Sequence, residues 1–249
     1  KKILIKMKIL IILNDKAYFR NYFDTKIIDY LNTKFSLSFL KRENIDLLDT
    51  KNYSFEDYKI DKKRKIKTTF FDLIINRYRH KSSYFKFRLK RFYRFDLRYL
   101  GELCIEKNQK VNFVNKFLKI HLILKNFFVF LFLVLLSSNF FFPLVRLIFD
   151  RFIKTNPSLE KKILNSNCDS VLVPTNGYSA EIYDILKISK KYDIKVNFLI
   201  DNWDNLSSKM IFFEEPNKIF VWGEQTKMHA NKIHNIINFE SFPFFINIS

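Results

Sequence analysis

The stretch that decides the fold is Ser170–Ile200, SVLVPTNGYSAEIYDILKISKKYDIKVNFLI. It opens on SVLVP, a short apolar run suited to a strand buried on both faces. A polar break follows at Thr175-Asn176-Gly177-Tyr178. Apolar residues then recur at helical spacing over Ala180–Tyr192 (Ile182, Ile185, Leu186, Ile188), with Ser179 placed to cap the helix. A second apolar run, KVNFLI at Lys195–Ile200, ends in Asp201-Asn202. Strand, helix and strand in succession predict parallel pairing through a crossover.

Outward from that unit the pattern repeats. Lys218–Trp222 (KIFVW) reads as a further strand, and Gly223-Glu224 opens a helix to about His234. Ile236–Glu240 reads as a last strand. Toward the N-terminus, Lys8–Leu13 (KILIIL) is a buried strand ending in Asn14-Asp15, Phe19–Leu31 is helical, and Phe35–Leu40 is a second strand. No strand signal is evident between Leu48 and about residue 165. The expected fold is therefore α/β, a Rossmann-like parallel sheet with a long basic, Phe-rich helical insertion between its second and third strands. The expected parts are 1–42 and 166–249 for the sheet domain and 43–165 for the insertion.

Composition narrows the chemistry. In 249 residues there are 44 Lys+Arg and 25 Asp+Glu, for a net charge of +19. The 48 % hydrophobic content excludes global disorder. Abundant Lys and 30 Phe also fit an AT-rich coding bias, which weakens charge as a functional sign. The 3 Gly (Gly101, Gly177, Gly223) are too scattered for a GxGxxG or Walker-type phosphate loop. Cys104 and Cys168 form neither a CxxC nor a disulfide framework, so a reducing, cytoplasmic setting is expected. The 4 His show no ligand spacing, and neither a metal nor a cofactor is expected.

The charge is concentrated in the first 165 residues, with 36 basic and 15 acidic side chains, against 8 and 10 in Ser166–Ser249. Lys59–Arg98 alone holds 15 basic and 3 acidic residues, interleaved with aromatics. Three readings stand open for this block: a solvated helical face, a patch facing anionic lipid, and a nucleic-acid surface. The last is disfavoured, since no RNP, zinc-finger or helix-turn-helix signature accompanies it. Asn126–Val145 carries 20 residues without a charge, the length of a membrane-spanning helix. A single crossing there would put two halves of one sheet on opposite sides of a bilayer. The run is expected instead to be a helix in a buried layer or an insert dipping into one leaflet. The chain is thus cytoplasmic, with a peripheral place on the inner face of the cytoplasmic membrane left open.

In open parallel sheets ligands bind beyond the carboxyl ends of the strands. The densest polar segment at such an end is DNWDNLSSK, Asp201–Lys209. Asp201, Asn202, Asn205, Ser207 and Ser208 offer hydrogen bonds to hydroxyls, Trp203 a flat apolar face for a ring, and Lys209 a charge for a phosphate. Asn176, after the preceding strand, belongs to the same edge. Asx-rich turns that satisfy their own backbone are the structural alternative, and Glu224 is favourable at a helix N-terminus in its own right.

With PNKIFVWGEQ at Pro216–Gln225 and His234-Asn235-Ile236, this loop resembles a pattern in bacterial GT-B-type glycosyltransferase-like proteins of surface-polysaccharide synthesis. There a WDN-x-[ST]-SK loop precedes a strand-turn-helix with VW-[GN]-E. The likeness is dense over Cys168–Phe245 and thinner over Lys8–Leu40. It departs at Met210, where the family has Gly, and at Ser241–Ile246, which lacks the Gly and Asp of the segment leading to the second Rossmann half.

The resemblance implies an acceptor-side half of a glycosyltransferase for lipid-linked or cell-surface glycans, with the C-terminal donor-binding domain absent. A nucleotide sugar would be engaged only through a missing or separate donor half, and activity is not expected from this chain alone. Asp204 or Glu224 would be the catalytic base. The alternative is a non-catalytic truncated Rossmann-like domain that binds a partner or a membrane surface.

Overall fold

A computed structural model describes residues 6–23, 27–45, 53–60, 62–80, 111–175, 180–200, 206, 212, 214–221, 223–234 and 239–241. The chain divides into two compact units, residues 1–68 with 154–249, and residues 69–153.

The first unit is a seven-stranded sheet. Its strands are β1 (Lys8–Leu13), β2 (Ser36–Arg42), β3 (Phe55–Tyr58), β4 (Ser170–Thr175), β5 (Lys195–Ile200), β6 (Lys218–Val221) and β7 (Phe239–Ser241). They stand in the order β3-β2-β1-β4-β5-β6-β7, and every neighbouring pair is parallel. The chain winds outward from β1 to β3, returns to β4 beside β1, and winds outward the other way. This is a Rossmann-like, doubly wound α/β sheet.

The helices of this unit are α1 (Lys16–Phe23), α2 (Ile27–Lys34), the start of α3 (Lys62–His80), α6 (Pro157–Asn165), α7 (Ala180–Tyr192) and α8 (Glu224–His234). Alternation along the central strands supplies both faces of the sheet. Leu10 and Ile12 of β1 face a core built with Leu159 and Ile163 of α6 and Ile182, Ile185 and Ile188 of α7. Ile11 and Leu13 face the opposite core, with Tyr18 and Tyr22 of α1 and Ile28 of α2. Each such fully buried side chain contributes about 1.5–3 kcal/mol relative to exposure, so β1 anchors two layers at once.

One strand lies where the sequence offered no signal. β3 reads FEDY, with two acids in four residues, and only Tyr58 is buried. It is an edge strand, and edge strands carry charge on their open side. Its register sets Lys41 opposite Asp57, and the two side chains form an ion pair at 2.8 Å. Helices therefore follow β3, not β2, and the interruption of the sheet falls between β3 and β4.

Asn156 holds the return from the helices to the sheet. Its side chain accepts from the backbone N–H groups of Ser158 at 3.0 Å and Leu159 at 3.3 Å, capping α6. Its amide also donates to the Lys59 carbonyl at 2.7 Å, just past β3. The residue is buried. Asn156→Ala removes the cap and leaves the Lys59 carbonyl short of a donor. Urea unfolding should register a loss of about 2–3 kcal/mol. Asn156→Asp keeps the acceptor but sets a buried carboxylate oxygen against the Lys59 carbonyl, and should not recover the loss.

The described residues of the second unit are mainly helical. The rest of α3 belongs to it, with α4 (Val111–Leu136) and α5 (Phe142–Phe152). The uncharged run of Asn126–Val145 is split between α4 and α5 by the turn at residues 137–141. Pro143 stands in the first turn of α5, where its missing N–H costs nothing. Among the described residues no helix is long and apolar enough to cross a membrane. Inside the unit, Phe71 stacks on Phe149 and Tyr78 on Phe142, and Leu133 is fully buried.

Candidate functional site

The carboxyl edge of the sheet collects the ends of β1, β4, β5 and β6. Chain reversal between β1 and β4 creates the crevice at which doubly wound sheets take ligands. At the end of β1, Asn14 is buried, and the Asp15 carboxylate accepts from the Ala17 N–H at 2.9 Å, opening α1. Asp15 is thus engaged by its own backbone.

β5 and β6 pair in parallel, with Leu199 opposite Phe220. The segments that follow them, 201–209 and 222–225, depart from adjacent strand ends. Of the residues singled out from sequence, Asn176, Asp201, Asn202, Trp203, Asp204, Asn205, Ser207, Ser208 and Lys209 lie outside the described residues. Glu224 is described. It is the first residue of α8 and exposed, with Lys227 one turn on at 3.5 Å, a position where the helix dipole favours an acid. Leu206, the apolar residue of the loop, is described too. It is fully buried in the core with Phe198, Ile200 and Phe212.

The same edge carries a cluster that sequence reasoning missed. Arg42 ends β2 and Tyr58 ends β3, directly opposite each other in register. Glu181 lies in the first turn of α7, the helix that follows β4. Arg42 donates from Nε to Glu181 Oε1 at 2.7 Å and forms an ion pair with the same oxygen through Nη2. The Tyr58 hydroxyl donates to it at 3.3 Å. The Glu181 side chain is 1 % exposed and that of Arg42 28 %.

Burial, and then the neighbouring Glu181 charge, push the Tyr58 phenol well above its ordinary range. Burial works to lower the Arg42 pKa, but the Glu181 charge and hydrogen bonds outweigh it, and the guanidinium is held charged. Glu181 Oε2 is buried and accepts no hydrogen bond among the described residues. The cluster ties the N-terminus of α7 to the ends of β2 and β3.

Burial pushes the Cys168 thiol up, the opposite of an activated nucleophile. Among the described residues no group of three or more His, Cys, Asp or Glu side chains is placed to hold a metal ion. Comparison with protein-family models, with curated proteins and with solved structures finds no match to the chain.

Proposed function

We propose that the chain is the acceptor-side half of a glycosyltransferase acting on lipid-linked or cell-surface glycans, completed by a separate or further donor-binding half. The observation that carries this reading is the parallel pairing of β5 with β6. Both motif-bearing segments, DNWDNLSSK and WGE, therefore leave the sheet at neighbouring carboxyl ends, the edge where doubly wound sheets bind ligands. Asp204 or Glu224 takes the proton from the attacking acceptor hydroxyl. Asn176, Asp201, Asn202, Trp203, Asn205, Ser207, Ser208 and Lys209 position the acceptor. Polysaccharide biosynthesis at the inner face of the cytoplasmic membrane is the setting that suits such an acceptor.

The chain carries its own reporter. It has 2 Trp, Trp203 and Trp222, and both belong to these two segments. Tryptophan emission, excited where tyrosine does not absorb, reports on this edge alone. Titration with a water-soluble lipid-linked disaccharide analogue should give a saturable change in emission. Asp204→Ala with Lys209→Ala should weaken it about tenfold or more, the loss of one or two charge-assisted hydrogen bonds. No response to the analogue, or a response untouched by the double substitution, favours the non-catalytic, partner-binding domain.

A further inference from the structure

The helical unit turns apolar residues outward. Of 17 large hydrophobic side chains exposed among the described residues, 12 fall between Leu124 and Phe152. Their spacing is helical. Leu124, Phe128, Leu131 and Leu135 recur at i, i+4, i+7 and i+11 on α4, and Leu144, Leu147, Ile148 and Phe152 at i, i+3, i+4 and i+8 on α5. These stripes are separate from the packed side, which holds Leu133, Phe142 and Phe149. Between the helices Phe140, at 82 %, is the most exposed large apolar residue described. A soluble surface rarely shows so much apolar area in one small unit without a partner.

Charge names the partner. Residues 69–153 carry 16 Lys+Arg and 5 Asp+Glu, a net of +11. Lys125 and Arg151 are exposed on the same two helices, and the acid of α5, Asp150, has Arg146 at 3.9 Å. Apolar stripes bordered by basic residues suit an anionic bilayer surface. A second copy would bring two strongly positive units together, which electrostatics opposes. Among the described residues no helix is long and apolar enough to cross a membrane. One side of each of α4 and α5 is also committed to packing inside the unit, which leaves a single face for lipid.

We infer that the outward apolar faces of α4 and α5, with Phe140 between them, dock the chain in the interfacial layer of an anionic membrane. This rests on the helical unit alone and is independent of the glycan-binding reading. Docking buries phenylalanine and leucine side chains among acyl chains, while Lys125 and Arg151 meet lipid phosphates.

Flotation of the whole 249-residue chain tests it, with vesicles of equal parts phosphatidylglycerol and phosphatidylcholine and with phosphatidylcholine alone. The chain should float with the anionic vesicles and far less with the neutral ones. The triple variant Phe128→Ser, Phe140→Ser, Leu147→Ser removes exposed apolar area without changing charge. It should keep its circular dichroism and lose binding by about tenfold or more. Failure of the chain to float with the anionic vesicles overturns the inference. So does unchanged flotation of the variant, which would reduce binding to charge alone. A lipid-free dimer that the same substitutions dissociate, with no flotation, assigns the face to a second copy instead.

Discussion

Arg42→Met should destabilise the chain by about 3–5 kcal/mol, measured by urea unfolding near neutral pH. The cause is not the lost attraction, because Arg42 and Glu181 are an ion pair in which one member is 1 % exposed. Without the guanidinium, a carboxylate remains buried with, among the described residues, the Tyr58 hydroxyl donating to it at 3.3 Å. The effect is therefore mainly the cost of an unpaired buried charge, and removing that charge as well should reverse most of it. Arg42→Met with Glu181→Leu should recover the larger part of the loss. It leaves the Tyr58 hydroxyl, buried at the end of β3, without its acceptor, at about 1–3 kcal/mol. Adding Tyr58→Phe should bring stability near that of the parent.

That cluster shows why part of the edge was not legible in the sequence. Arg42 and Glu181 stand 139 positions apart, and Tyr58 and Glu181 stand 123 apart. No local spacing joins them, since their meeting depends on β2 and β3 lying beside β1 while α7 follows β4. β3 itself was hidden because a polar edge strand lacks the apolar run that made β1, β4 and β5 readable. The α4–α5 stretch carried the converse ambiguity. Apolar residues around nearly a whole helix suit a core or a bilayer equally, and only the fold divides them into a packed side and an outward one. The central strands were plain in the sequence because burial on both faces leaves them almost no polar positions. The DNWDNLSSK and WGE motifs were likewise visible, being local in sequence.

On the proposed glycan-binding reading, Leu206 couples the stability of the sheet to ligand binding. In DNWDNLSSK, Leu206 is fully buried among Phe198, Ile200 and Phe212, with Phe198 and Phe212 ring centroids 5.1 Å apart. A polar segment whose single aliphatic residue is driven into the core has its chain fixed at that residue. Leu206→Ala removes the anchor and opens a cavity, and should cost about 2–5 kcal/mol in urea. Leu206→Met conserves volume and should cost less than about 1.5 kcal/mol. The two variants also separate anchoring from general stability in the tryptophan titration. At temperatures where both are folded, Leu206→Ala should lose the saccharide response and Leu206→Met should keep it. Should Leu206→Ala bind as tightly as the parent once its folded fraction is accounted for, the loop would be serving the core alone. The polar residues around it would then be turn-formers and not a site.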